Sequence, residues 1–406
     1  MKGLLEIDLS DDSSFKNGFP HAFFTWLRRN DPMYWHNPSP VTPDGEGFWV
    51  ISRYADVNKV IMEPQIFSSD KAGPREGGGT AIKDEKTAGH LLNQTDDPYH
   101  RKLRNLVNKG FTVKAVNELE DELRTRANNL ISSLKPGETF NFVSRISREI
   151  PTQAICIVLG VPEEHRIKLC DWVDRGIETD SDSVIATEYL KKVGRYAQSL
   201  IEEKRQHPAK DILSTIVHAK FEEDGSALTD RELRSFFALL FPAGAETTTR
   251  AISGGMLALL ENPTQWQKLR GNPDYLKTGV EEIVRWTTPS VYKRRTATRD
   301  IKFLEKNVKE GDKITFWEMS ANRDENVFSQ PFDFNISRTP NKHIGFGAGV
   351  HFCLGAALAR LELKIIFESL IQSNIDFELV DSVQWVPNNR LVGLKNLPVK
   401  VIARSN

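Results

Sequence analysis

The stretch Phe346-Gly347-Ala348-Gly349-Val350-His351-Phe352-Cys353-Leu354-Gly355 sets one cysteine in a glycine-hinged loop, directly ahead of an apolar run over 356–370 that reads as a helix. A thiolate needs hydrogen-bond donors or positive potential beside it. A helix N-terminus supplies both, through its free N–H groups and its dipole. Gly347, Gly349 and Gly355 allow backbone angles or close approaches that a Cβ would forbid. Phe346 is placed to shield the sulfur from water and so tune its basicity. Two plainer readings exist: a buried structural cysteine, or a nucleophile with His351 as its base. Neither calls for a cluster of glycines.

The rest of the chain narrows the choice. Its net charge of −1 over 406 residues gives no global electrostatic support for binding nucleic acid or an anionic membrane. Cys156, Cys170 and Cys353 are too few for a disulfide framework, which points to a reducing cytoplasm. Residues 1–29 include Lys2, Glu6, Asp8, Asp11 and Asp12, with no basic segment followed by an apolar core. No apolar run of about 18 residues occurs, so no membrane anchor is expected. Without a biased linker, residues 1–406 read as a single domain.

The pattern is mainly helical, with short strands near the two ends, at 47–52 and 313–317. Residues 71–93 are polar and contain Gly73, Pro74 and Gly77 to Gly79, so an exposed, mobile loop is expected. The longest helix is expected over 229–260. It opens on the capping box Thr229-Asp230-Arg231-Glu232 and stops before Asn262-Pro263. Some 30 residues span about 45 Å, enough to cross a domain, and Phe236, Phe237, Leu239, Leu240, Met256 and Leu257 make it apolar on several faces, as in a buried central helix. Within it, Pro242 and Gly244 weaken the helix and predict a local defect with a small gap. Alternatively, this is an ordinary proline kink whose threonines bond back to carbonyls.

The Cys353 loop, with its Phe, Gly, His, Cys and final Gly in register, resembles the cysteine-ligand signature of the cytochrome P450 family. The resemblance implies a mainly α fold with small β-sheets, with haem b held between the long central helix and the Cys-ligand loop and helix. Cys353 would be the metal ligand, a thiolate suited to O–O cleavage, with Phe346, Gly347, Ala243 and Gly244 also against the haem. Ala243-Gly244-Ala245-Glu246-Thr247 matches the family's oxygen-activation motif, which makes Glu246 and Thr247 the catalytic acid–alcohol pair for proton delivery. His100 and Arg104, Arg295 and His351 match the positions that hold the haem propionates, although a solvated basic face explains His100 and Arg104 equally well in isolation. Glu282 and Arg285, at i and i+3, would form a structural network with Arg338.

By the same resemblance the substrate pocket draws on the 77–93 loop, 166–179, 239–247, 290–292 and the 391–394 turn. Its candidate residues are Leu92, Leu239, Ala243, Val291, Tyr292, Lys293 and Val392, largely apolar and suited to an apolar or amphipathic ligand. Lys293 departs from the usual apolar strand. Period-two alternation puts it on the face of Val291 and Arg295, where it would meet a propionate or an acidic substrate group. Arg101, Lys102, Lys109, Lys342, Arg360 and Lys364 would make the proximal side basic, as docking of an acidic ferredoxin requires.

The implied activity is a haem-thiolate monooxygenase that inserts one oxygen atom of O2 into a C–H bond of a hydrophobic small molecule such as a terpenoid, steroid or lipid. NAD(P)H electrons would arrive through a separate ferredoxin reductase and ferredoxin. Leu92 to Pro98, Glu282 to Trp286 and Gly393 to Val399 resemble bacterial members that oxidise sterols, terpenoids and branched lipids, in a frame shared with polyketide-tailoring members. A peroxide-using or rearranging haem-thiolate enzyme and a non-catalytic haem sensor are further classes. The Glu246-Thr247 pair argues against both.

Overall fold

Thr229 starts the longest helix by a reciprocal cap: its hydroxyl accepts from the Glu232 amide at 3.3 Å, and the Glu232 carboxylate accepts from the Thr229 amide at 2.7 Å. In the computed structural model, which describes residues 7–71, 73, 75–178, 184–221 and 224–404, this helix runs over Asp230–Glu261. Of the two readings of Pro242, the ordinary one fits: the helix continues through the proline. Proline deprives only the carbonyl four residues back, at Ala238, and Ala238 is exposed, so water can serve that group. Thr247 and Thr249 donate to the carbonyls of Ala243 and Ala245, both at 2.8 Å.

The helices that position the site are α1 (Tyr99–Asn108), α2 (Glu149–Val158), α3 (Glu163–Glu178), α4 (Asp230–Glu261), α5 (Leu276–Thr287) and α6 (Ala356–Gln372). The central helix α4 packs against α2, α5 and α6, and its apolar side chains, among them Phe237, Ile252, Met256 and Leu259, join the largest core. No helix among the described residues is long and apolar enough to cross a membrane.

Aromatic and β-branched runs build the main sheet. Its strands are β1 (Met33–His36), β2 (Phe48–Ile51), β3 (Phe67–Ser68), β4 (Lys293–Ala297) and β5 (Lys313–Phe316), in the spatial order β1-β2-β5-β4-β3. The two expected strand segments are parallel neighbours, with Val50 opposite Thr315. β4 runs antiparallel to β5, with Lys293 opposite Phe316 and Arg295 opposite Ile314. A second core beside the sheet gathers Phe15, Phe24, Val291, Tyr292, Trp317 and Val392.

Within the 71–93 segment, residues 78–85 are tied down, contrary to its polar composition. Arg294, fully buried, pairs with Asp84 at 2.6 Å, and its amide donates to the Thr80 carbonyl at 2.9 Å. Arg390 adds bonds to Thr80 Oγ1 (2.8 Å) and Glu85 (3.1 Å). The polar residues that read as solvent-facing are the partners that buried arginines require.

Candidate active site around Cys353

The loop before α6 folds on two glycines in the left-handed region, Gly347 (φ 70°) and Gly349 (φ 61°). The Cys353 amide donates to the Phe346 carbonyl at 2.8 Å, which closes the loop. Cys353 lies deep among protein atoms, yet its side chain is exposed, the combination expected on the wall of an internal cleft. Burial pushes the thiol up, while the Gly355 N–H, Lys293, Arg104 and Arg360 act against it by favouring the thiolate. Arg360 rests over the Phe346 ring, 4.5 Å from its centroid, and is held by Glu281 of α5 at 2.6 Å. Burial raises the Glu281 carboxyl, but hydrogen bonds from His343 and Arg360 outweigh it and bring the group down to about 2.

Across the core, α4 carries an open strip midway along its length. Ala243 is exposed and Leu239, Gly244, Glu246 and Thr247 are partly so, and 239, 243 and 247 share one face at i, i+4 spacing. The next residue, Thr248, is buried. Glu246 pairs with Arg250 one turn on, at 3.2 Å. Arg250 is buried with Nε and Nη1 unpartnered, and its stem fills the space a Cβ on Gly393 would need, with Cγ at 2.5 Å. This joins α4 to the 391–394 turn.

His100 and Arg104 of α1, Arg295 of β4 and His351 of the cysteine loop converge. The His100 and His351 rings lie 4.2 Å apart, and Arg104 Nη1 donates to the Val350 carbonyl at 3.3 Å. Burial, then Arg295, His100, Arg104 and Lys293, push His351 down to about 2. Arg295 is brought down to about 10 by burial. Its guanidinium reaches the neighbouring Arg294 carbonyl at 2.9 Å and lies over Phe316, while His100 Nε2 is buried with no partner. Buried cations and spare donors crowded together require an anion. Two carboxylates at the edge of a porphyrin, with an open thiol loop beside them, fit that requirement, so the residues present suit haem.

Behind this cluster Glu282, fully buried, accepts from Arg285 (2.7 and 2.8 Å) and Arg338 (3.1 and 3.2 Å). Other expected placements differ. Lys293, expected to face a propionate or a substrate acid, is paired instead with Glu318, a fully buried carboxylate. Val291, Tyr292 and Val392 are packed into the second core and Leu92 into the first, while Leu239, Ala243 and Lys293 remain open or partly open. At the start of the 166–179 region, Arg166 is buried on Gln153 and the Val161 carbonyl; Thr179 lies outside the described residues. The basic proximal face is largely neutralised from within, by Asp97 on Arg101, Glu281 on Arg360 and Glu120 on Lys364. The Lys109 side chain lies outside the described set. Sequence reasoning missed Arg250, Glu281 and Glu318. The i, i+4 spacing of Glu246 and Arg250 was a usable signal, whereas nothing local marked Glu318.

A family model for cytochrome P450 matches residues 178–403. Cytochrome P450 126 of Mycobacterium tuberculosis is 45% identical over 406 residues, 98% of each chain. The steroid C26-monooxygenase of the same organism is 35% identical, over 98% of this chain and 93% of that one. A solved Mycobacterium marinum cytochrome P450 in complex with pseudoionone superposes with a TM-score of 0.87 at 32% identity, over 97% of this chain and 98% of that one. With the likeness running through the whole fold, the chain belongs to the cytochrome P450 family and is a haem-thiolate monooxygenase that uses haem b.

Proposed function

We propose that this enzyme, one haem domain over 1–406, hydroxylates a neutral steroid- or terpenoid-sized molecule at an unactivated C–H bond, with Cys353 as the iron ligand. Bound haem supplies the iron at which O2 is held and activated. His100, Arg104, Arg295 and His351 hold the propionates and fix the ring in the cleft. Ala243 would give it an apolar ceiling and Phe346 and Gly347 would line the thiolate side, whereas Gly244, expected beside them, packs on Ile155 of α2, whose Cδ1 would lie 2.8 Å from a Cβ there. Thr247 donates its hydroxyl proton to Ala243 O in this structure, and a single χ1 rotation turns the same proton into the cleft. Glu246, partly open to solvent, takes up protons and passes them to that hydroxyl. Electrons come from a separate redox partner of the ferredoxin and ferredoxin-reductase type, met on the Cys353 side.

The observation that carries this reading is the open strip Leu239, Ala243, Thr247 along one face of the central helix, whose following turns over 248–259 are almost wholly buried. It is apolar except for one hydroxyl, which suits a hydrocarbon substrate oriented by shape and leaves one proton donor at the reaction. The relatives add direction, since one acts on a steroid and one solved neighbour holds pseudoionone. The test is a titration of the ferric holoprotein with cholestenone and, separately, pseudoionone, followed at the Soret band. A saturable low-to-high-spin shift with either supports the assignment. An intact haem spectrum that neither compound moves contradicts it.

A further inference from the structure

Glu318 opens the short helix Glu318–Ala321 just after β5. Phe316 stands opposite Lys293 in the β4–β5 ladder, so Glu318, two residues on, reaches the same face. Its Oε2 pairs with Lys293 Nζ. Its Oε1 is buried without a partner and faces the cysteine loop, where a Cβ on Gly347 would lie 3.7 Å away. Burial raises the Glu318 carboxyl, opposed by Lys293 and Arg295. Lys293, about one-third exposed, is in turn among the charges that act on both Cys353 and His351.

A fully buried carboxylate at a site built to receive two propionates adds a negative charge where three anionic groups, counting the thiolate, already converge. Such a group is retained only with a strong partner, and Lys293 is that partner. Charges this close to a buried redox centre act on it with little screening. We propose that Lys293 and Glu318 form a charge pair that sets the ferric/ferrous potential of the haem: the Lys293 ammonium would favour the added electron, the Glu318 carboxylate would oppose it, and Glu318 holds the ammonium on the face toward the cysteine loop. Lys293 is thereby shielded, which also makes the adjacent pocket a poor receptor for a carboxylate-bearing substrate.

The inference rests on the haem-thiolate reading, and one set of proteins separates the two. Haem-loaded wild type, Lys293→Gln, Glu318→Gln and the double variant are titrated spectroelectrochemically, each first checked for a thiolate-type CO spectrum. The expected result is a higher potential in Glu318→Gln, where the Lys293 charge is left uncompensated, and near-wild-type values in the double variant and in Lys293→Gln, whose unpartnered buried carboxyl takes up a proton. A tenfold change in the reduction equilibrium corresponds to about 59 mV for one electron, and Glu318→Gln is expected to move by about that amount. Thiolate-type spectra with equal potentials in the single variants overturn the charge-pair proposal and leave the haem-thiolate reading standing. Loss of the thiolate spectrum in wild type overturns both. Should Glu318→Gln fail to hold haem, Lys293→Glu, altered at a partly exposed position, carries the test alone: a lower potential is expected, and an unchanged one refutes the proposal.

Discussion

Lys293, Arg294 and Arg295 are consecutive cations with three different partners, because a strand turns successive side chains to opposite faces. Arg294 points away from the site to Asp84 and the 77–85 segment, whereas Lys293 and Arg295 share the face toward the cysteine loop. That alternation was legible in the sequence; the identity of Lys293's partner was not, since Glu318 lies 25 positions away and is reached only through the register of two strands. Thr247 allows a test at the same scale. Its hydroxyl bonds only to its own helix in this structure, so Thr247→Ala should leave stability within about 0.5 kcal/mol of wild type. Product formed per NAD(P)H should nevertheless fall steeply, with product turnover reduced on the order of 10²-fold and peroxide released. Coupling measured by product and peroxide yields checks this, and unchanged coupling would remove Thr247 from proton delivery.

Among elements, α5 and α6 are joined through Glu281, which receives Arg360 and His343 together. Its carboxyl is lowered from 4.5 to about 2 on folding. A depressed carboxyl binds fewer protons folded than unfolded, so it contributes stability above about pH 4.5 that is lost as pH falls toward 2. Urea unfolding across pH 2–7 should show Glu281→Gln less stable than wild type near neutrality, with the gap closing toward pH 2. A gap that widens in acid would contradict the assignment. Glu282 is the more severe case. Glu282→Gln leaves Arg285 and Arg338 without their buried counter-charge and should cost about 3–5 kcal/mol, measurable in the same denaturant series and as reduced haem retention. The long helix was readable end to end from Thr229, Glu232 and Asn262-Pro263. Whether Pro242 opens a gap was not, because the fate of the Ala238 carbonyl depends on solvent reaching one face of a packed helix.

Across the whole molecule, the mainly α frame with small sheets and the gathering of His100, Arg104, Arg295, His351 and Cys353 follow from motifs spread over 250 residues of chain. What composition misjudged was the 71–93 segment. Glycine and charge there read as solvent exposure, yet Thr80, Asp84 and Glu85 serve Arg294 and Arg390 from the sheet side. Arg294→Ala should therefore release the segment, at a cost of about 3 kcal/mol. Limited proteolysis should then cut within 75–85 faster than in wild type; equal cleavage rates would show the arginine is dispensable. Likewise, packing of Val291, Tyr292 and Val392 into the second core depends on N-terminal residues such as Phe15 and Phe24, whose approach no local pattern announces.

Cys353 is the proposed iron ligand, and the ferrous–CO spectrum of the haem-loaded protein tests that role most directly. Wild type should show the thiolate-type band, and Cys353→Ser should lose it while the apoprotein fold, followed by far-UV circular dichroism, is retained. A thiolate-type band that survives in Cys353→Ser would mean that another residue holds the iron, and would contradict the site described here.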